Sequence, residues 1–148
     1  MKAGVSDRLV IDASAAVSWC FEDEKTSYTE EVLDKMDGGA EAVVPSLWSF
    51  EIVNALLQAE RRKRITAAQA TVFLEQLEGV NIVVDSAPRP RIFGWIFLEA
   101  RQQNLSAYDA AYLELALRRG LPLATLDDNL KRAAKDLGVP MAHNASGR

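Results

Sequence analysis

In the segment Leu9-Val10-Ile11-Asp12-Ala13-Ser14, an apolar run ends at an acid and a helical pattern follows, and this order is the main indication of the fold. An apolar run without alternation is typical of a strand that is buried on both faces. The same order returns towards the C-terminus, where Leu123-Ala124-Thr125-Leu126-Asp127 precedes another helical segment. Strands that alternate with helices predict a parallel sheet covered on both sides, which is a three-layer α/β/α sandwich.

The rest of the chain extends this alternation. Proline and glycine mark element ends: Pro45 ends one strand, and Gly120 closes the helix before another. We expect a roughly five-stranded sheet within a single domain over residues 1–142, followed by a disordered tail over 143–148. The expected strands are 9–11, 42–45, 81–85, 121–125 and a weak fifth at 139–142; the expected helices are 13–21, 25–38, 46–64, 66–78, 88–103, 106–119 and 128–137.

Composition excludes several classes of protein. The chain has 148 residues with 49% hydrophobic and 26% charged residues, which is ordinary for a globular domain. Its net charge of −4 means that any nucleic-acid surface must be a local patch. The single cysteine, Cys20, excludes an internal disulfide and is compatible with a reducing compartment. Because the N-terminal residues are polar and the apolar runs are short, we expect a cytoplasmic protein without a signal peptide or membrane span.

Four acidic residues lie where a carboxylate is costly: Asp12, Glu51, Asp109 and Asp127. Asp12 and Asp127 follow strands, and each has a structural interpretation as a helix cap. Asp109 has one too, because Ser106-x-x-Asp109 resembles a capping box. However, open α/β sheets bind ligands at the carboxyl ends of their strands, and gathered carboxylates need a cation. The four acids together therefore predict a site for a hard metal ion.

Glu51 is the acid whose surroundings are most apolar. Seven apolar neighbours predict a helix that is buried on every side, where Asn54 is the only polar residue on the same face. Among the smaller polar residues, Ser14 and Thr125 either bind a metal-bound water or neighbouring carboxylate, or make local hydroxyl-to-backbone bonds. Asp127 is followed directly by a second acid, Asp128, and either of the two could face the metal. The apolar neighbours of Glu51 are Leu47, Trp48, Phe50, Ile52, Val53, Leu56 and Leu57.

Taken in order, these segments resemble the PIN-domain ribonucleases, and most of all the VapC toxins of prokaryotic toxin–antitoxin pairs. The resemblance covers nearly the whole chain. It implies a parallel α/β/α sandwich, cleavage of RNA with one or two Mg²⁺ or Mn²⁺ ions, and a cognate VapB-like antitoxin. Asp12, Glu51, Asp109 and Asp127 fall on the acidic positions of the family. The matching segments are Val10-Ile11-Asp12-Ala13-Ser14, Phe50-Glu51-Ile52-Val53-Asn54-Ala55-Leu56, Ser106-Ala107-Tyr108-Asp109-Ala110-Ala111-Tyr112-Leu113-Glu114-Leu115-Ala116 and Thr125-Leu126-Asp127-Asp128-Asn129-Leu130.

Two kinds of interaction surface are also expected. The densest basic cluster, Arg61-Arg62-Lys63-Arg64, is either a contact for RNA or a solvated helix end that suits the helix dipole. The helices that begin at Ser46 and Thr66 carry more apolar surface than one small core absorbs, which predicts a homodimer. We expect the antitoxin to pack on the long 46–64 helix and to bring a basic residue to the acids.

Other functional classes remain as alternatives. A receiver-like phosphoacceptor domain also carries acids at strand ends. It needs a lysine after its last strand, however, and this chain has none at that position. A haloacid-dehalogenase-like phosphatase needs a second aspartate two residues after the first, where this chain has Ser14. A PIN-like interaction module without catalytic activity is the third alternative.

Overall fold

A sheet of four parallel strands forms the centre of the computed structural model, which describes residues 7–142. The strand order is β3-β2-β1-β4, so the first strand lies inside the sheet. Its apolar residues Leu9, Val10 and Ile11 are at most 1% exposed, as the unbroken apolar run predicts. The strands are β1 (Arg8–Ile11), β2 (Glu41–Val44), β3 (Ile82–Val84) and β4 (Leu123–Ala124).

Helices cover both faces of this sheet. Because crossovers between parallel strands are right-handed, the strand order places α1 to α4 on one face and α5 to α8 on the other. The contacts of α1 with α3, and of α7 with α6 and α8, agree with this placement. The predicted three-layer α/β/α fold is therefore confirmed. The helices are α1 (Ala13–Val17), α2 (Ser27–Asp37), α3 (Leu47–Arg61), α4 (Ala67–Glu78), α5 (Arg89–Arg91), α6 (Phe97–Gln103), α7 (Ala107–Arg119) and α8 (Asp128–Asp136).

Two predicted helices are less regular than expected. The 13–21 helix becomes α1 followed by a 3₁₀ turn, Ser18–Cys20. In the 88–103 helix, a π-helical segment, Ile92–Ile96, joins α5 to α6. None of the helices within residues 7–142 combines the length and the apolar character needed to cross a bilayer.

The expected fifth strand is a single parallel bridge between Met141 and Leu123. Pro140 accepts a hydrogen bond from the Leu123 amide but has no amide hydrogen to donate, so the ladder stops there. The five-strand count is thus approximate. The tail predicted to be disordered, 143–148, lies outside the described residues.

The 46–64 helix differs from its prediction in two ways. It ends at Arg61, and Lys63 takes a left-handed backbone conformation with φ of 62°. It is also not buried on every side, because Phe50 is 77% exposed while Ile52 and Leu56 are buried. The apolar residues around Glu51 therefore form one core-facing stripe and one solvent-facing stripe.

Candidate active site

All four predicted acids line one cleft with a volume of about 390 Å³ at the carboxyl end of the sheet. Asp12 and Asp127 follow β1 and β4, which are neighbours in the sheet. Glu51 comes from the second turn of α3, and Asp109 from the first turn of α7. The cleft is lined by Asp12, Ala13, Ser14, Glu51, Asn54, Ala55, Gln58, Asp109, Tyr112 and Asp127.

Asp12 is the most buried of the four acids, with 4% of its surface exposed. Its Oδ1 accepts hydrogen bonds from the Ser14 hydroxyl at 2.8 Å and from the Ala15 amide at 3.0 Å. Its Oδ2 accepts one bond, from the Thr125 hydroxyl at 2.5 Å. Burial raises the pKa of Asp12 to about 6 despite these bonds, and the charge of Asp109 adds to the rise. Since each oxygen accepts about two bonds, only Oδ2 keeps a free acceptor position.

Ser14 and Thr125 join the ends of the two adjacent strands. The Ser14 hydroxyl donates to Asp12 and accepts from the Leu126 amide at 3.0 Å. The Thr125 hydroxyl donates to Asp12 and accepts from the Asp127 amide, also at 3.0 Å. Each hydroxyl therefore binds the Asp12 carboxylate and a backbone amide. The amide bond of Thr125 is local, as one of the two interpretations predicted, whereas that of Ser14 is to a residue 112 positions away.

Glu51 finds its partner on another helix. Its Oε1 accepts a hydrogen bond from the Tyr112 hydroxyl at 2.6 Å. Asn54, the polar neighbour expected from sequence, lies in the cleft lining but is exposed and makes no such bond within the described residues. Burial, and then the charge of Asp109, raise the pKa of Glu51, whereas the Tyr112 bond opposes the rise. No role was predicted for Tyr112, although its spacing from Asp109 places both on one face of a helix.

Asp109 and Asp127 line the same cleft and are close enough for their charges to interact. Burial, and then the charge of Asp127, raise the pKa of Asp109. Ser106 caps α7 by accepting from the Asp109 amide at 3.1 Å. Asp127 caps α8 through Oδ1, which accepts from the Leu130 amide at 2.9 Å, and its other oxygen is left for the cleft. The side chain of Asp128 is 98% exposed and lies outside the cleft, so of the two adjacent acids it is Asp127 that faces the others.

The charges of the cleft suit a hard cation. Among the described residues that line it, none is Lys, Arg or His, and three of its carboxyl groups have raised pKa values. Oxygen donors of this type favour Mg²⁺ or Mn²⁺ over softer metals. Within residues 7–142, however, no three acidic, His or Cys side chains already stand in a metal-binding arrangement. Hydroxyl groups of Thr125 and Tyr112 donate hydrogen bonds to Asp12 and Glu51, respectively.

A model of the PIN domain matches residues 9–136, from β1 to the end of α8. The chain belongs to the PIN domain family. Among its relatives is the ribonuclease VapC3 of Pyrobaculum aerophilum, 27% identical over 133 residues that make up 90% of this chain and 99% of the relative. The ribonuclease VapC3 of Mycobacterium tuberculosis is 28% identical over 127 residues, 86% of this chain and 88% of the relative.

A solved structure shares the fold of this PIN domain. It is the crystal structure of PAE2754 from Pyrobaculum aerophilum, with a TM-score of 0.66 and 22% identity over 88% of this chain and 87% of that one. The resemblance to VapC-type PIN domains, first seen in four sequence segments, is confirmed by the family match and the named relatives.

The basic cluster of the PIN domain divides into two parts. Arg64 forms ion pairs with Asp23 at 3.0 Å and Glu24 at 3.3 Å, and its guanidinium lies over the Phe21 ring. Arg61, Arg62 and Lys63 are exposed. Arg62 is the residue directly after α3, about 16 Å from Glu51 along the helix axis. The cluster thus extends away from the cleft, and its last member is held by acids of the protein itself.

A second buried carboxylate lies on α7 but outside the cleft. Glu114 is 1% exposed and accepts hydrogen bonds from Arg118 at 2.7 Å and from Arg91 at 3.1 Å. Arg118 also binds Asp85, at the end of β3. This network stabilises the packing of α7 against its neighbours and accounts for a buried charge that the sequence did not single out.

Proposed function

We propose that this PIN domain is a Mg²⁺- or Mn²⁺-dependent endoribonuclease, a VapC-type toxin that acts in the cytoplasm and is neutralised by a cognate antitoxin. One observation carries the proposal: four carboxylates from four separate segments line a single cleft that has no cationic side chain among its described residues. Gathering acids in this way is unfavourable unless a cation offsets their charges. The named relatives, both ribonucleases, support RNA as the substrate.

The four acids would hold one or two divalent ions. Asp12 would use the free position on Oδ2, Glu51 its Oε2, and Asp127 the oxygen that does not cap α8. A bound divalent ion supplies a water of lowered pKa for attack on phosphorus and stabilises the charge that develops on the phosphate. The protein itself keeps the carboxylates in place through Ser14, Thr125 and Tyr112, which donate hydrogen bonds to them.

RNA would follow the exposed basic end of α3. Arg61, Arg62 and Lys63 are exposed at the C-terminal end of α3, the helix that carries Glu51. Because Arg64 is paired with Asp23 and Glu24, we assign the phosphate contacts to the other three residues and not to Arg64. Contacts of this kind bind phosphate without reading the sequence of the RNA.

Cleavage of RNA with Mn²⁺, with Mg²⁺ and in EDTA tests the function. The wild-type protein should cleave in either metal and not in EDTA, and Asp12→Asn should be inactive because a ligand is lost. Asp128→Asn is a matched control that should keep full activity, since the Asp128 side chain is 98% exposed. Cleavage that persists in EDTA would contradict the proposal. No cleavage under any condition would favour the alternative of a PIN-like interaction module.

The antitoxin would cover the exposed apolar stripe of α3. Phe50, Val53 and Leu57 are all exposed, and their helical spacing aligns them beside the cleft face of α3, next to Asn54. On the other side of this stripe, α3 and α4 border a groove of about 470 Å³ that Trp48, Ile52 and Leu77 help to line. A partner helix seated there could bring an arginine to the acids, where a bidentate pair with a carboxylate is favourable.

Co-expression with the product of the adjacent small open reading frame tests this partner. We expect a complex that relieves growth arrest and that Val53→Asp disrupts. Val72→Asp on α4 is the control, because Val72 is also exposed but lies outside the stripe and the groove lining. Absence of a complex, or equal loss with both variants, would defeat this assignment.

A further inference from the structure

The Tyr112 hydroxyl and the Glu51 carboxylate connect two helices that cover opposite faces of the sheet. The hydrogen bond between them is 2.6 Å long and joins residues 61 positions apart. The aromatic ring of Tyr112 is 1% exposed and belongs to the main hydrophobic core, whereas Glu51 is only partly buried. One end of the bond is therefore fixed by packing, and the other is a side chain with several free torsions.

We propose that Tyr112 is a positioning residue that holds the Glu51 carboxylate with Oε2 directed to the shared site of the four acids. This inference rests on the proposed function, because it assigns Glu51 as a ligand for the divalent ion. Without the bond, Glu51 would rotate among several rotamers on the rim of an open cleft. With the Tyr112 bond, the Glu51 carboxylate is already ordered before the ion binds.

The surroundings of the bond favour this role over a simple tie between helices. Tyr112 lines the same cleft as Glu51, Asp12 and Asp109, and Asp109 lies one turn before it on α7. Hydrogen bonds from side chains behind the ligands orient metal ligands in proteins, and their removal commonly lowers metal affinity by about 10- to 100-fold. Asp12 has such support from Ser14 and Thr125, and Tyr112 gives Glu51 the equivalent support.

The test is Tyr112→Phe, which removes the hydroxyl and keeps the buried ring. We expect the affinity for Mn²⁺, measured by calorimetry or electron paramagnetic resonance on the full chain, to fall about 10-fold. Cleavage at low Mn²⁺ should fall with it and recover at saturating Mn²⁺, while the KM for RNA stays unchanged. Tyr108→Phe is the matched control: Tyr108 lies one turn earlier on α7, is 62% exposed, and should bind Mn²⁺ as the wild type does.

A double-mutant cycle separates positioning from a general structural effect. In a Glu51→Gln background, which already lacks the ligand charge, Tyr112→Phe should leave the Mn²⁺ affinity unchanged. An equal decrease in both backgrounds would overturn the inference, as would wild-type affinity in Tyr112→Phe itself. If the wild-type protein binds no divalent ion, the proposed function and this inference both fail. If it binds and Tyr112→Phe binds equally well, only the role of Tyr112 is lost.

Discussion

The Asp109 carboxylate interacts unfavourably with all three of the other acids that line the cleft. The charge of Asp109 raises the pKa values of both Asp12 and Glu51, and the charge of Asp127 raises the pKa of Asp109. It is not the cap of α7, because Ser106 takes that position. Its side chain therefore contributes more to the cleft than to the stability of the helix.

Asp109→Asn should abolish cleavage and leave the metal-free protein equally or more stable. The substitution removes one of several charges that repel each other. It keeps the Ser106 cap, because the Ser106 hydroxyl accepts its hydrogen bond from the backbone amide of residue 109 and not from the side chain. Thermal melts in EDTA, together with RNA cleavage in Mn²⁺, provide the measurement. A clear decrease in Tm would mean that Asp109 mainly supports the helix, as the capping interpretation holds.

The stability of the metal-free protein should depend on pH through the same carboxyl groups. The pKa of Asp12 is raised from 3.8 to about 6 in the folded protein, so protonation favours folding. This contribution is complete below pH 4 and is lost as the pH rises through 6. Its size is at most about 3 kcal/mol, because each pKa unit corresponds to about 1.4 kcal/mol. The raised pKa values of Glu51 and Asp109 act in the same direction.

Melts at pH 5 and pH 7.5 check this expectation. In EDTA the wild-type protein should lose stability between these values, and Asp12→Asn should lose less. With Mn²⁺ the gain in Tm should increase as the pH rises, because the ion binds the ionised carboxylates. A gain from Mn²⁺ that is larger at pH 5 would contradict the assignment of these acids as ligands.

At the scale of the element, α3 carries three functions on three faces. Glu51, Asn54 and Gln58 face the cleft, and Ile52 and Leu56 face the core. The exposed stripe of Phe50, Val53 and Leu57 lies between these faces, and basic residues end the helix. Because a helix places residues three and four positions apart on one side, one element can serve all three surfaces.

Arg62→Gln should weaken RNA binding about two- to fivefold, and the salt dependence of binding should decrease by about one unit of slope. Arg64→Gln is the matched control, since its ion pairs with Asp23 and Glu24 hold it on the protein. That variant should bind RNA normally and lose up to about 1 kcal/mol of stability. Binding curves of an inactive Asp12→Asn protein at several salt concentrations give the comparison. The opposite pattern, with Arg64 important and Arg62 neutral, would overturn the assignment.

For the whole molecule, the helical segment over 89–103 presents apolar residues that the rest of the described chain, 7–142, does not cover. Phe93 is 71% exposed, and Ile92, Phe97 and Leu98 are also exposed. Large apolar patches on a globular domain commonly mark contacts with other proteins. The sequence predicts a homodimer through the helices that begin at Ser46 and Thr66, but we assign the α3 stripe to the antitoxin. We therefore propose that the 89–103 patch is the surface that contacts a second copy of the chain.

Phe93→Asp should convert the dimer to a monomer, since a charge at the centre of an apolar interface is unfavourable. Light scattering at micromolar concentration is the measurement, and circular dichroism checks that the variant is folded. Val72→Asp on α4 is the control and should remain dimeric. A wild-type protein that is monomeric under these conditions would contradict the prediction.

The class of fold and the four acids of the cleft follow from local patterns in the sequence. Buried strands and helix starts depend on neighbouring residues, so Leu9 to Asp12 and Leu123 to Asp127 indicated two strand ends, each followed by an acid. That the two strands are neighbours is known only from the strand order of the sheet. The tertiary structure alone decided the partner of Glu51, the choice between Asp127 and Asp128, and the pairing of Arg64 with Asp23. It also decided that one side of α3 is exposed and that the last strand is a single bridge. These features depend on contacts between residues that are far apart in the chain, and neither spacing nor local propensity encodes which of the possible contacts packing allows.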